Sequence, residues 1–179
     1  MTPEQFHARI WDILEPIDGD VFHVVAAPAP DDAAVAAVEA RAGFAMPAEI
    51  LAFSKRTNGL CLQAREEVWP QAKLYSVGPA WTFWRGLIFL GIDTPDLPEW
   101  ARISTAQQQL ADAGVTGVLP LLKIMGDGGR IWGMSAEGKT VLVMDDDVSE
   151  LEGDFCDLYA EQLLELMQRQ RDMAAKLGK

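Results

Sequence analysis

Residues 119–144, LPLLKIMGDGGRIWGMSAEGKTVLVM, decide the kind of fold this chain forms. Three apolar runs, Leu119 to Met125, Arg130 to Ser135 and Thr140 to Met144, are separated by Asp127-Gly128-Gly129 and Glu137-Gly138-Lys139. Both separators are turn chemistry, because glycine takes positive φ without a steric cost and aspartate bonds its own backbone two residues on. Short apolar runs joined this tightly predict an antiparallel meander. Connections of four residues leave no room for the crossover helix that a parallel pair needs.

On the C-terminal side, Phe155, Leu158, Tyr159, Leu163, Leu166 and Met167 recur at i, i+3, i+4 spacing and predict a closing helix. At the other end, Thr2, Pro3 and Gln5 form a helix start, with a hydroxyl cap, an early proline and a capping-box glutamine. Phe6, Ile10, Ile13 and Ile17 then carry a helical period as far as the break at Pro16 and Gly19. Val21 to Val25 reads as a short strand, and Pro28 to Pro30 as a connection. A second helix starts at Asp31 or Asp32, passes through Val35 and Val38, and stops at Gly43, a residue suited to a left-handed cap. Pro47 opens a third, with Ile50, Leu51 and Phe53 on one side and Asn58-Gly59 as its stop.

Between these ends lie shorter apolar runs, Leu60 to Leu62, Val68-Trp69, Lys73 to Val77 and Leu87 to Ile92, broken by Pro70, Gly78-Pro79 and Gly91. They read as strands and turns. Residues 93–117 read as a helical excursion with starts at Thr94-Pro95 and Ser104. Helices at both ends of a run of hairpins predict an α+β fold: an antiparallel sheet packed with N-terminal and C-terminal helices. No internal repeat or linker divides the chain, so residues 1–179 read as one domain.

Composition limits what such a domain does. Apolar residues make up 49% of the 179, enough for a full core. No run approaches the roughly 18 apolar residues of a membrane span. The start, Met1-Thr2-Pro3-Glu4-Gln5, has neither the basic nor the apolar part of a signal peptide. Cys61 and Cys156 fit no paired motif, so two reduced thiols in the cytoplasm are expected, with a disulfide as the alternative. The formal net charge of -12 opposes binding to nucleic acid and to anionic membranes, and favours a basic partner.

Catalytic chemistry is sparsely represented. His7 and His23 have no companion at metal-ligand spacing, and neither cysteine is near a histidine in sequence. Gly126-Asp127-Gly128-Gly129 lies between two strands and opens no helix, so it reads as a hairpin turn and not a phosphate loop. Asp145-Asp146-Asp147 lacks the alternating oxygen ligands and turn glycine of a calcium loop. No catalytic, cofactor or metal residue is therefore assigned. The alternative from another class is a small hydrolase with two facing carboxylates, which 27 acids leave unidentifiable in sequence.

Two features suit protein binding. From Asp145 to Glu165 there are nine acids and no Lys or Arg: Asp145, Asp146, Asp147, Glu150, Glu152, Asp154, Asp157, Glu161 and Glu165. Those near Asp154 suit a helix start, where the dipole favours negative charge. The run as a whole reads either as a solvated surface or as an acidic docking face, with Asp145 to Asp157 as its contact residues. The second feature is the aromatic segment holding Trp69, Tyr75, Trp81, Phe83, Trp84 and Phe89. Most of these belong in a core, but Trp81 and Trp84 flank Thr82 and precede Arg85, so they are the candidate apolar anchors of an interface.

From Val38 to Gly59 the chain resembles the helical hallmark of the SMI1/KNR4 (SUKH) superfamily. The matching positions are Glu39, Gly43, Met46-Pro47, Ile50, Phe53 and Asn58-Gly59, with Met46 in place of the usual leucine. Pro120 through Met144 resembles the family's later strands, and the helix from Phe155 its terminal helix. Glu67-Val68-Trp69-Pro70 and Val77-Gly78-Pro79-Ala80-Trp81 look like its bacterial branches. The resemblance spans about residues 32–167. It implies an immunity protein of a bacterial polymorphic or contact-dependent toxin system, without catalysis, acting as a monomer or weak homodimer. Its partner would be a cognate toxin, often a nuclease, with a basic surface. A housekeeping scaffold of the cell-wall or signalling type is the alternative implied by the eukaryotic relatives.

Overall fold

The computed structural model describes residues 1–178. In chain order it contains α1 (Pro3–Leu14), β1 (Phe22–Ala27), α2 (Asp32–Ala42), α3 (Ala48–Ser54), β2 (Asn58–Ala64) and β3 (Gly86–Phe89). These are followed by α4 (Ile103–Asp112), β4 (Val118–Met125), β5 (Arg130–Ser135), β6 (Thr140–Met144), β7 (Asp147–Glu150) and α5 (Phe155–Leu177). Single 3-10 turns occur at Ala80–Phe83 and Glu99–Ala101. The seven strands form one antiparallel sheet in sequence order, so each strand lies beside its neighbours in the chain. The fold is a single α+β domain with the N- and C-terminal helices packed together.

Local chemistry explains the helix ends. Thr2 accepts from the Gln5 N–H while the Gln5 side chain accepts from the Thr2 N–H, a reciprocal capping box. Asp31 caps α2, and Gly43 ends it at φ +82°. Asp154 caps α5 with Asp157 as its reciprocal partner. The strands β5 and β6 have the bounds read from the sequence, and β4 begins one residue earlier.

Four readings change. Val68-Trp69 is a turn, although Trp69 is fully buried and its Nε1 donates to the Thr82 carbonyl at 3.0 Å. Lys73 to Val77 forms no strand, and Leu74 and Tyr75 are 84% and 91% exposed. The strands on either side of it in the chain, β2 and β3, are each bonded on both edges, so neither offers it an edge to join. The third helix ends at Ser54, and Asn58-Gly59 belongs to β2. Finally, the acidic stretch after Met144 contains a seventh strand, β7, which pairs with β6 across the two-residue turn Asp145-Asp146. Its acidic composition hid it, because strand patterning relies on apolar alternation.

The sheet has two unlike faces. On the first, Phe89 meets Phe53 of α3 and Phe155 and Tyr159 of α5, with ring centroids 5.0 to 6.1 Å apart. Phe6 of α1 joins the same cluster through Phe53 and Phe155. Burying each such ring stabilises the fold by about 2–3 kcal/mol. On the second face, α4 lies against β4, and Gln107 of α4 donates to the Val38 carbonyl of α2 at 2.9 Å.

Candidate functional site

The structure divides the acidic run among four settings. Asp145 and Asp146 form the tip of the β6–β7 hairpin, where Asp145 takes φ +55°. Aspartate is among the few side chains that tolerate this left-handed region. Asp147 and Glu150 lie on β7, all four of whose residues are exposed. Glu152 is exposed in the connection to α5, and Asp154 and Asp157 begin that helix.

Several of these carboxylates already have partners. Asp154 and Asp157 both pair with Arg9 of α1, which bolts the two terminal helices together. Glu150 pairs with Lys139 of the preceding turn at 3.1 Å. Asp147 accepts from the Ser149 hydroxyl at 3.1 Å. Among the described residues Asp145, Asp146 and Glu152 form no ion pair, so the acids open to a partner sit at and beyond the hairpin tip.

The backbone of this hairpin adds a second property. A two-residue turn makes Met144 and Asp147 a bonded pair, and the Leu151 N–H donates to the Thr140 carbonyl at 2.9 Å. Alternation along an antiparallel ladder therefore turns the N–H and C=O of Val148 and Glu150 outward. The β7 edge is thus an open, acidic strand edge.

Trp81 and Trp84 pack against cations of α5 and β5. Both are half-buried, with Trp81 edge-on to Trp69 and facing the Lys176 ammonium at 5.9 Å. Trp84 lies beneath the Arg130 guanidinium at 4.5 Å, and its carbonyl accepts from Arg169 Nε at 3.3 Å. Arg169 is twelve residues along α5 from Asp157, about 18 Å at helical rise. Asp154 and Asp157 therefore lie at the opposite end of α5 from the two tryptophans, whereas the hairpin tip, next to Met144, the cross-strand partner of Arg130, lies at the tryptophan end.

The sequence reading missed a second candidate, a trough on the sheet's second face. Register places Val25, Cys61, Ile88 and Lys123 in one cross-strand row, and His23, Gln63, Gly86 and Met125 in the next. Trp100, 51% exposed on the 3-10 turn Glu99–Ala101, lines both a cavity of about 340 Å³ and one of about 400 Å³. A third, of about 560 Å³, lies under the exposed segment 71–76, and Gln63 lines all three. The signal for this face was Lys123, a charged residue interrupting the apolar run of a central strand.

Lys123 is half-buried and donates to Gln109 Oε1 of α4 at 2.9 Å. Burial lowers its pKa, an effect that Asp127 partly offsets. Asp127 is itself paired with Arg130. At the trough's far end Arg85 is buried, with its Nε unpartnered and its pKa lowered by burial against the opposing pull of Glu66.

The thiols are buried and the imidazoles meet neighbouring side chains. Cys61 and Cys156 are free and buried; burial pushes their thiols up to about 11 and about 12, so both are protonated at neutral pH. His7 accepts from Trp11 Nε1 at 3.1 Å, and His23 lies 3.2 Å from Arg65. Among the described residues no group of three or more His, Cys, Asp or Glu is placed to hold a metal ion. Neither the protein-family models nor the curated proteins include a match to this chain.

Proposed function

We propose that this protein binds a basic protein partner without catalysing a reaction, and that the partner is a toxin which it neutralises as an immunity protein of the SUKH type. The observation that carries the binding part is the β6–β7 hairpin: an open strand edge, exposed throughout, whose unpaired side-chain charges are all negative. An edge of this kind offers backbone hydrogen bonds and a field that draws in and orients a cationic surface. It also repels a second copy of itself, since like charges face each other when two acidic edges approach. The toxin identity rests on the resemblance from Val38 to Gly59 and on the net charge of -12.

The test is affinity capture from the native host at low and high salt, followed by expression of the captured protein with and without this chain. A basic protein that is toxic alone and harmless when co-expressed supports the reading. The triple variant Asp145→Lys, Asp146→Lys, Asp147→Lys is expected to weaken that complex by at least about tenfold, mainly through a slower on-rate. A captured protein whose toxicity is not relieved overturns the immunity role. Capture that ignores both salt and the triple variant overturns the acidic edge as the docking surface.

A further inference from the structure

The trough on the second face has the opposite character to the hairpin edge. Its charged floor group is the half-buried Lys123, which has three N–H donors and one hydrogen-bond acceptor, the neutral Gln109 side chain. A desolvated ammonium without a charged partner within salt-bridge reach is incompletely compensated, and a carboxylate is the group that completes it. Of the other cations near the trough, Lys73 at one end and Arg65 beside His23 have the same sign, while Arg85 is paired with Glu66 at 3.5 Å. One of the two acids at its rim, Asp127, is occupied by Arg130. In an acidic molecule this is a locally cationic recess with apolar walls.

Shape narrows the occupant further. The three cavities adjoin through Gln63, Trp100, Met125 and Gly126, so together they cross strands β1 to β4. Three strand spacings come to about 14 Å, which suits about four residues of extended chain. Gly86 keeps the floor low between Gln63 and Met125: a Cβ there would stand 2.6 Å from the Leu62 carbonyl oxygen. The three cavities are partly open to solvent, which fits a peptide better than a small molecule needing enclosure.

We infer that this trough binds an extended apolar peptide segment bearing one carboxylate, which pairs with Lys123 while an apolar side chain covers Trp100. The site does not depend on the acidic edge, since β7 is separated from β4 by two strands. Its failure therefore leaves the toxin-binding proposal untouched, and the converse holds as well.

The test is titration of ¹⁵N-labelled protein with acetyl-Leu-Leu-Glu-Leu-amide and its Gln and Lys counterparts, followed by NMR shift mapping. The expected result is shifts at Gln63, the Trp100 indole and the residues flanking Lys123, with the Glu peptide binding at least about tenfold tighter than the Gln peptide. Lys123→Met keeps an unbranched four-atom stem without the ammonium and should remove that preference. Trp100→Ala, at an exposed position, should weaken all three peptides. Equal binding of the three, shifts confined to other surfaces, or no shift at about 10 mM peptide overturns the proposal.

Discussion

Asn58 shows how much one side chain decides. It is fully buried, its Oδ1 accepts from the Ile92 N–H at 2.8 Å, and its Nδ2 donates to the Ile92 carbonyl at 2.8 Å and to Pro28 at 3.2 Å. In sequence Asn58-Gly59 reads as turn chemistry, and the local part of that reading survives, since Gly59 takes φ +62°. What the pair does is different: Asn58 satisfies the backbone just beyond β3, and a Cβ on Gly91 would stand 2.7 Å from the Gly59 backbone. The close approach of two glycines and one amide thus carries the chain from the sheet towards the turn that bears Trp100. Asn58→Ala should cost about 3 kcal/mol, because it leaves both Ile92 groups buried and unpaired. Urea unfolding measures this directly; a loss below about 1 kcal/mol would mean that the site relaxes or admits water.

At the scale of elements, α1 meets α5 through the Phe6–Phe155 stack and through Arg9, which pairs with the acids that open α5. The Asp154 carboxyl is held below its usual pKa. Burial opposes that shift, and the hydrogen bonds from the Asp157 N–H and from Arg9 outweigh it. A depressed folded pKa means that this stabilisation is present above the unfolded value of about 3.9 and is lost as pH falls through the folded pKa. Asp154→Ala should therefore lower stability at pH 7 by about 1 kcal/mol, mostly through the lost cap. The exposed ion pair with Arg9 adds little to this. The gap between variant and wild type should narrow as the pH approaches 3 in denaturant titrations. A gap independent of pH would show that the ionised carboxylate does not contribute.

The same elements show which parts of the fold were legible in sequence. β5, β6 and the caps of α1 and α2 follow from neighbours within four residues, and the structure places them where the sequence does. β7 was not legible. Its strand state comes from pairing with β6, and its exposed residues carry no apolar alternation. The segment 73–77 failed in the opposite sense, having strand-like composition but lying between β2 and β3, each already paired on both edges.

For the whole molecule, the net charge of -12 raises the free energy of the compact state through self-repulsion. Raising salt from 10 mM to 150 mM shortens the screening length from about 30 Å to about 8 Å, which relieves part of that repulsion. The melting temperature should rise by about 2–4 °C over this range, as followed by calorimetry. The triple lysine variant changes the net charge from -12 to -6, since each replacement adds two, and should show a smaller rise. An unchanged slope would mean that local ion pairs, such as Arg9 with Asp154 and Asp157, govern the salt response.

The α+β class, the meander, the helix caps and the acidity are all readable along the chain, because each depends on composition or on residues close in sequence. The folded arrangement alone shows which acids remain open, that Arg130 covers Trp84 at the end of the sheet where the hairpin turns, and that Lys123 shares a face with Trp100. Those outcomes depend on register and on side chains distant in sequence, such as Arg9 meeting Asp154, and a linear pattern holds no record of which strand face a residue shares or which partner reaches it first.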